Sequence, residues 1–530
     1  MDSFGMTNRL HYGDNLGVLR EHIPNESVDL IYLDPPFNSA RSYNLLFKQV
    51  KGAESPAQIM AFEDTWTWSH VLYDDFKKEP RNSPLWGIVA ALYETLGPSE
   101  MMAYLVMMAP RLIELRRVLK PTGNLYLHCD PVASHYLKLI LDVIFGPQNF
   151  RNEITWKRSD THNDARKQFA RIADRVLFYT KTDAAPFVPQ HVAHAEKTLK
   201  DWYLYLEMPD GSIRKMTPME RDSQQIPEGA RRFNAGDLSS PNPRPNLMYE
   251  YKGYLPHANG WRCDRARMEE LDAAGLLLFP ASSNGRIMFK RYLDEQPGAI
   301  LGDLWTDISL IRAGHKEGRG YPTQKPLKLL ERIIAASCPE GGTVLDPFCG
   351  CGTAIVQAER MARNWLGIDI TYLAINEVVS RLQEEKREGH ALRYELVGTP
   401  KDADAAQALF EQTVSQNHRP YEQWAVTLVP GARWNEKKGA DRGIDGRLTL
   451  WVGTKPKDAL VQVKGGNALN PSNVRDFAHV IESNDAPLGF MISQKPPTKE
   501  MKRVAEGMGR ISFGGTATYQ RYQILSVKEI

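Results

Sequence analysis

The sequence has little cysteine, almost no net charge and no long apolar run. Five cysteines in 530 residues cannot build a disulfide framework, and no two have the spacing of a usual zinc site. No apolar stretch approaches the roughly 18 residues of a membrane-spanning helix, and no secretory signal is indicated at the start. These features predict a protein of a reducing compartment, the cytoplasm, with no membrane partner.

A net charge of +2 does not by itself indicate a nucleic-acid partner. The distribution of charge is more informative, because basic residues outnumber acidic ones in 419–530 and 156–175 is basic with aromatic residues between the charges. Such stretches can contact phosphates, but solvated helix faces have the same composition. Charge alone leaves the partner open.

Strand-like and helix-like segments alternate along most of the chain, which predicts an α/β fold with a parallel sheet and crossover helices. For example, 27–34 is typical of a strand, and 99–121 has helical apolar spacing that stops at a proline. The alternation breaks between 183 and 310, where proline, glycine and polar residues predict an inserted domain. We therefore predict the following segments: 1–182 and 311–400 as two halves of one domain, 183–310 as the insertion, 401–418 as a linker and 419–530 as a small α/β domain.

The first candidate site follows the apolar run 29–33, which ends on Asp34-Pro35-Pro36-Phe37. Prolines fix φ and remove backbone donors, so the strand cannot continue beyond Asp34. A rigid turn would explain the prolines alone. However, open α/β sheets bind ligands at the carboxyl ends of their strands, where Asp34 stands, and this favours a functional site.

A second constellation lies between Gly341 and Ile370. A predicted strand ends at Asp346, Gly350 and Gly352 allow a tight turn, and a helix begins near Thr353. Asp369 ends the next strand, where a carboxylate can accept the hydroxyls of a ribose. The loop is neither a pyrophosphate fingerprint nor a P-loop. A nucleoside without phosphates, such as S-adenosylmethionine, fits better than a purely structural turn.

Together these motifs resemble the amino-group DNA methyltransferases of the permuted β class, in which the catalytic motif precedes the cofactor motif. Residues 34–37 match the family's D-P-P-[YF] and are close to the form in type III modification subunits; 346–353 resemble its loop D-P-F-x-G-x-G-T, and 321–326 the strip before it. Residues 260–271 and 289–298 resemble its target-recognition region. The resemblance covers residues 8 to 400 and implies a Rossmann-like, S-adenosylmethionine-dependent fold with circularly permuted motif order.

The resemblance also implies site residues. The catalytic residues are Asp34, Pro35, Pro36 and Phe37, and the cofactor-binding residues are Thr323, Gln324, Lys325, Pro326, Asp346, Phe348, Gly350, Gly352, Thr353 and Asp369. An exocyclic amino nitrogen is a poor nucleophile, and acceptors at the Asp34 carboxylate and the Pro35 carbonyl would grip its hydrogens. Phe37 would stack on a base flipped out of the duplex; a core aromatic is the alternative.

The target base is expected to be adenine, at N6. Methylation of cytosine C5 resembles a mechanism that uses a Pro-Cys pair, which this chain lacks. Within the family, D-P-P-[YF] accompanies mostly adenine N6 and S-P-P-Y cytosine N4, so cytosine N4 is the alternative. Related proline pairs also serve RNA and protein-glutamine methyltransferases, but the insertion favours duplex DNA, since a sequence reader needs extra surface.

The last segment places Asp445 on one predicted strand and Gln462 and Lys464 on the next, with Glu422 on the preceding helix. An acid that holds a divalent ion beside a lysine suits phosphodiester hydrolysis. The pattern resembles the Mrr-type branch of the PD-(D/E)xK restriction endonucleases, which implies Mg²⁺ at Asp445. Because glutamine replaces the second acid, a domain that binds DNA without cutting is the alternative.

The resemblance implies a homodimer in a restriction–modification or phage-defence setting, with a helicase or restriction subunit as a further partner. Since the motifs lie upstream of the last domain, a chain lacking 419–530 is expected to remain a competent methyltransferase.

Overall fold

A computed structural model defines the fold over most of the chain. The residues that it describes are 8–36, 42–48, 54–63, 68–159, 169–282, 285–312, 315–319, 321, 324–385, 392–400, 403–413, 418–429, 432–435, 443–452, 455–466, 469–512 and 518–527. The chain divides into two units, one that joins 1–188 to 303–530 and one formed by 189–302. The second unit falls within the insertion predicted for 183–310.

The described residues form these elements. Up to residue 188 they are β1 Asn8–Tyr12, α1 Asn15–His22, β2 Val28–Leu33, β3 Ser42–Lys48, β4 Glu54–Glu63, α2 His70–Lys78, α3 Trp86–Leu96, α4 Glu100–Val118, β5 Leu119–Cys129, α5 Ser134–Phe145, β6 Phe150–Lys157 and β7 Ala173–Thr180. The second unit contains β8 His191–Val192, α6 Glu196–Trp202, β9 Tyr205–Glu207, β10 Ile213–Lys215, α7 Pro218–Ser223, β11 Arg231–Asp237, α8 Arg265–Ala273, β12 Leu277–Leu278, β13 Met288–Tyr292 and β14 Ala299–Ile300. From residue 303 they are β15 Leu304–Trp305, α9 Leu327–Ser337, β16 Thr343–Asp346, α10 Thr353–Arg360, β17 Asn364–Asp369, α11 Tyr372–Glu384, β18 Tyr394–Val397, α12 Ala403–Gln412, α13 Arg419–Thr427, β19 Arg433–Trp434, β20 Gly446–Val452, β21 Lys455–Lys464, α14 Pro471–Ser483, β22 Gly489–Ser493, α15 Lys499–Gly507, β23 Arg510–Ser512, β24 Thr518–Gln520 and β25 Tyr522–Ser526.

A nine-stranded sheet dominates the first unit, in the order β15-β6-β7-β5-β2-β16-β17-β1-β18. Strands β5, β2, β16, β17, β1 and β18 pair in parallel, as the alternating pattern predicts. The sheet is nevertheless mixed, because β7 runs antiparallel to both β5 and β6. The sequence does not reveal this reversal, since β7 is as apolar as a parallel strand. The carboxyl ends of β2, β16 and β17 meet at one edge.

The core of this sheet follows from the sequence. Every residue of β2 is buried, as expected of a strand covered on both faces. Helix α4, predicted from its apolar spacing, begins after the capping Ser99 and ends at Val118. Its apolar face lies in the same cluster as β2, β5 and α5. The sheet edge that carries the turn at Asp34 therefore rests on a closely packed core.

The second unit, described by itself, contains a five-stranded sheet in the order β10-β9-β11-β13-β12 and the short pair β14-β8. The two stretches that resemble a target-recognition region contribute α8 and β13. Trp261 is buried in the core beside Met268 of α8. These stretches thus build the unit's framework.

The C-terminal part of the first unit has its own sheet, in the order β19-β20-β21-β22-β25, with β21, β22 and β25 parallel. One of its cores includes Tyr372, the first residue of α11, together with Tyr421 and Trp424 of α13. Ala406 of α12, within the predicted linker, is buried in the same cluster. The C-terminal sheet is therefore packed against α11, although the composition of 401–418 predicts only a linker between the two domains.

Two absences can be stated for the described residues. None of their helices is both long and apolar enough to cross a bilayer. All five cysteines are among them, and all five are free thiols.

Replacing Trp424 by alanine should loosen α11, because truncating a buried tryptophan typically costs about 3–5 kcal/mol and Trp424 covers the cluster that contains Tyr372. Hydrogen exchange measured by mass spectrometry should show faster exchange of the α11 amides, and calorimetry a lower Tm. Trp202→Ala, at an exposed tryptophan of the second unit, is the control. A chain lacking 419–530 should show the same change more strongly; unchanged exchange in both variants would favour the independent methyltransferase expected from the sequence.

Candidate active site

Asp34 and Lys325 form an ion pair at the carboxyl end of β2, with Lys325 Nζ donating to Asp34 Oδ2. Both side chains are largely shielded from water, with exposed fractions of 15% for Asp34 and 9% for Lys325. Pro35 is buried and Pro36 half-buried, so the turn is fixed against the sheet. Lys325, predicted to bind the cofactor, is thus placed on the predicted catalytic carboxylate.

A buried chain of hydrogen bonds lies beside this turn. Tyr32, on β2, bonds His128 Nδ1 at 3.0 Å, and His128 Nε2 lies 3.2 Å from Asp174 Oδ2. Arg158 Nε lies 3.3 Å from the other oxygen of Asp174. Burial raises the pKa of Asp174, but the bond to His128 and the charges of His128, Arg158 and Lys325 outweigh it, so the pKa is lowered. This network joins β2, β5 and β7. Its member on β2, Tyr32, lies two residues before Asp34.

Asp346 ends β16 and is buried directly beside β2. Its Oδ1 accepts a hydrogen bond from the Phe348 backbone at 3.1 Å, which shapes the following turn. Burial is the largest cause that holds the pKa of Asp346 well above its usual range, and the charges of Asp34 and Asp369 add to it; Lys325 acts in the opposite direction. A cationic ligand here would relieve the accumulated negative charge.

Asp369 ends β17 and organises the glycine loop. Its Oδ2 accepts the Gly350 N–H at 3.0 Å, and its Oδ1 accepts the backbone N–H and the hydroxyl of Thr371 at 2.9 and 2.8 Å. Burial raises its pKa against these bonds. These bonds fix the carboxylate at the carboxyl end of β17, next to the glycine loop.

The glycines of the loop are required by close approaches. Gly350 has φ +49°, and a side chain there would meet the Tyr321 ring at 3.4 Å. Gly352 has φ +74°, and a Cβ would lie 2.6 Å from Val378 of α11. Burial holds the pKa of the Tyr321 phenol well above its usual range, with Asp369 adding to it. The loop is therefore contacted by Val378 of α11 on one side and by Tyr321 on another.

Arg381 of α11, which is buried, holds the loop from beneath. Its Nη1 donates to the Cys351 carbonyl at 2.7 Å and to Thr353 Oγ1 at 3.2 Å. Asn15, at the start of α1, donates to the Pro347 carbonyl at 2.8 Å. Neither residue was expected from the motifs, because both lie outside them and each bonds a backbone carbonyl that any sequence offers.

The remaining predicted residues have different environments. Gln324 is buried, but its amide is committed to the backbone at 317–319, accepting from Arg319 at 2.8 Å and donating to Glu317 at 2.7 Å. Pro326 stands at the start of α9, and Phe348 packs against the core. Phe37 and Thr323 lie outside the described residues, so their predicted roles stay predictions.

The predicted nuclease residue Asp445 lies directly before β20 and is bonded to β21, the strand that carries Gln462 and Lys464. Asp445 Oδ2 accepts the Val463 N–H at 2.7 Å, and Gln462 donates to the Gly443 carbonyl at 2.7 Å. Gln462 Oε1 is buried and has no hydrogen-bond partner within the described residues. Glu422 lies on α13, as predicted. No cluster of three His, Cys, Asp or Glu side chains suited to a metal occurs in the described portion of the chain.

Comparison with known proteins gives the family of the chain. Residues 28–379 match the N6_N4_Mtase model, described as DNA methylase. This match spans more than half of the chain and includes both constellations of the site. The chain belongs to this family of DNA methylases, and its C-terminal sheet lies beyond the matched range.

Curated relatives agree with this assignment. The type II methyltransferase M.EcaI of Enterobacter cloacae is 26% identical over 382 residues, covering 71% of this chain and 69% of its own length. The StyLTI Mod subunit of a type III restriction-modification enzyme of Salmonella typhimurium is 27% identical over 360 residues, 64% of this chain and 48% of that subunit. The type II methyltransferase M2.DpnII of Streptococcus pneumoniae is 34% identical over 158 residues, 30% of this chain and 53% of its own. The chain thus spans about half the length of the last two.

Among solved structures, the cytosine-N4-specific PvuII DNA methyltransferase is 12% identical over 73% of this chain and 89% of its own, with a TM-score of 0.32. A score this low does not define a shared fold.

Gly352→Ala should lower Tm more than Gly341→Ala. Both glycines have positive φ, which costs a non-glycine residue about 1–2 kcal/mol, but a Cβ at Gly341 meets nothing within 4 Å whereas one at Gly352 meets Val378. Thermal unfolding of both variants gives the difference. Val378→Ala combined with Gly352→Ala should recover part of the loss, and equal Tm values for the two single variants would show that the approach of α11 does not constrain the loop.

Proposed function

We propose that the chain transfers a methyl group from S-adenosylmethionine to adenine N6 in duplex DNA. The observation that carries the proposal is the arrangement of Asp34, Asp346 and Asp369, which end three neighbouring parallel strands at one edge of the sheet. The Asp34-Pro35-Pro36 turn gives the catalytic end, and the glycine loop gives the cofactor end. The motif order, catalytic before cofactor, supports a circularly permuted methyltransferase domain.

The chain's own residues would activate the amino nitrogen by position and charge. The Asp34 carboxylate and the Pro35 carbonyl would accept its two hydrogens, which draws the lone pair out of conjugation with the base. The two prolines hold this carbonyl rigidly, so little reorganisation is needed. Phe37 would stack on the flipped base. The same acceptors would serve cytosine N4, so the preference for adenine is taken from the resemblance to D-P-P-[YF] enzymes.

The residues present fit S-adenosylmethionine, a nucleoside with a cationic sulfonium. When bound, it supplies an electrophilic methyl group: the amino nitrogen would form the new bond with its lone pair, sulfur would keep the electrons of the broken bond, and the nitrogen would give up one proton to water. The Asp369 carboxylate, held beside the glycine loop, would accept a ribose hydroxyl. The buried Asp346, whose pKa burial raises, favours a positive charge nearby.

The biological setting that we propose is restriction–modification. Two of the relatives described above are named as type II methyltransferases and one as the Mod subunit of a type III enzyme. A homodimer on duplex DNA, with a restriction subunit as a separate partner, follows by analogy. Size measurement on the purified chain, alone and with DNA, tests the dimer.

Asp34→Ala should abolish methyl transfer while leaving cofactor binding largely intact, because Asp34 would contact the amino group.

Asp369→Ala should instead weaken cofactor binding, with the affinity reduced roughly tenfold or more, since a hydrogen bond to a charged group contributes about 1.5–3 kcal/mol. Calorimetry gives the two dissociation constants, and mass spectrometry of digested DNA identifies the methylated base. Retained turnover in Asp34→Ala would overturn the assignment, and N4-methylcytosine in the product would replace adenine by the alternative.

A second activity is proposed for the C-terminal sheet, namely metal-dependent DNA cleavage. The proximity of Asp445, Gln462 and Lys464, with a buried Gln462 oxygen lacking a described partner, favours it. A divalent ion such as Mg²⁺, held by Asp445, would activate water when bound; Lys464 would steady the developing charge, and Glu422 is a further candidate acid.

When unmodified and premethylated DNA are incubated with the chain and magnesium, only the unmodified DNA should be cleaved. Both activities would use the same recognition region, so methylation by one domain would protect the site from cleavage by the other. Lys464→Ala should abolish the cleavage while leaving methylation unchanged. Lys457→Ala is the control, since Lys457 lies on the same strand but pairs with the exposed Asp485. If neither DNA is cut with any of several divalent ions, the domain binds without cutting.

A further inference from the structure

The ion pair between Lys325 and Asp34 is unusual for a site that must receive a neutral amino group. Lys325 lies 291 residues from Asp34 in the chain, yet its ammonium group meets the catalytic carboxylate at a position shielded from solvent. Burying an ammonium group is costly unless it is paired. The pairing is therefore a property of the site that the fold maintains.

The surroundings of Lys325 are rich in negative charge. Its charge acts on Asp346 and on Asp174, and in both cases it lowers the pKa of the carboxyl. Asp34 in turn raises the pKa of Asp346. Without the ammonium group, carboxylates at the ends of β2 and β16 would face each other with less compensation. Lys325 thus offsets repulsion at the strand ends that carry the reaction.

The backbone on both sides of Lys325 is fixed, which places its ammonium group on Asp34. Lys325 directly precedes Pro326, the residue at the start of α9, so its backbone is held at a helix terminus. Gln324, the residue before it, is fixed by bonds to the backbone at 317 and 319. A lysine anchored on both sides and bonded to Asp34 is placed to orient that carboxylate. Its second oxygen, Oδ1, is then available for the amino hydrogen, because a carboxylate offers about four acceptor sites.

We propose that Lys325 is a positioning residue for methyl transfer: it fixes Oδ2 of Asp34 and thereby aims Oδ1 at the target amino group. The inference rests on the proposed function and deepens it. Lys325 forms no bond to the transferred methyl group and takes no proton in the reaction. It acts through Asp34, in the way that a fixed dipole contributes to a preorganised site.

Lys325→Met, which keeps the length of the side chain and removes the charge, should lower kcat by about 10- to 100-fold, the range expected for losing one charge-assisted hydrogen bond. The dissociation constant for S-adenosylmethionine should change less than twofold. Lys325→Arg should recover part of kcat, because it restores the positive charge and the donor. Lys328→Met is the matched control, since Lys328 is exposed on α9 and pairs only loosely with Asp307, at 3.8 Å; its kinetics should equal those of the wild type.

A double-mutant cycle distinguishes positioning from a general effect on folding. In an Asp34→Asn background, Lys325→Met should cost little further activity in single-turnover measurements with labelled methyl donor, because the group through which it acts has been changed. Equal losses in both backgrounds would overturn the proposal. A loss of activity in Lys325→Met that disappears when the cofactor concentration is raised to saturation would also overturn it, because it marks Lys325 as a cofactor ligand. If wild-type protein methylates no amino group in DNA, the proposed function itself fails, and the Lys325 variants are not needed to show it.

Discussion

The pairing of β2 with β16 is the contact on which the site depends. It joins residues near the beginning of the chain to residues more than 300 positions later, with Ile31 opposite Leu345. Because both strands run in the same direction, Asp34 and Asp346 leave the sheet at the same edge, and β17 adds Asp369 beside them. A shift of this pairing by one residue would turn every side chain of β2 to the other face of the sheet. The burial of all six residues of β2 opposes such a shift.

Helix α11 connects the cofactor end of the site to the C-terminal sheet. Its first residue, Tyr372, belongs to a core shared with α13, and its Arg381 holds the glycine loop. Val378, between them, faces Gly352. Arg319, which precedes α9, donates to Glu384 at the end of the same helix. One helix therefore contacts the glycine loop, Arg319 and the core of the C-terminal sheet, so a displacement of any of them affects the others.

The sequence predicted the residues whose role depends on local chemistry. Asp34, Asp346 and Asp369 each end a strand, and glycines at 350 and 352 mark a turn that tolerates no side chain; all these signals lie within a few residues. The partner of Asp34 could not be predicted in this way, because a lysine two residues before a helix is equally suited to a cofactor carboxylate. Only the tertiary packing of the segment before α9 brings Lys325 to Asp34.

The same reasoning applies to residues that act on backbone atoms. Arg381 and Asn15 bond carbonyl groups of the loop, and carbonyl groups carry no sequence signature. The reversal of β7 also escaped prediction, since an antiparallel strand buried on both faces has the composition of a parallel one. What a motif supplies is thus the chemistry of a position, while its partners depend on tertiary packing.

The order of strands in the large sheet also affects how the chain can mature during translation. Strands β16 and β17 lie between β2 and β1, although both of the latter are synthesised first. Until the ribosome has added the residues up to about 346, where β16 ends, β2 has no neighbour on one side and exposes unpaired backbone groups on a strand that the fold buries completely. Such an edge recruits other chains, so the nascent protein depends on protection, by a chaperone or by the residues that follow, for most of its synthesis.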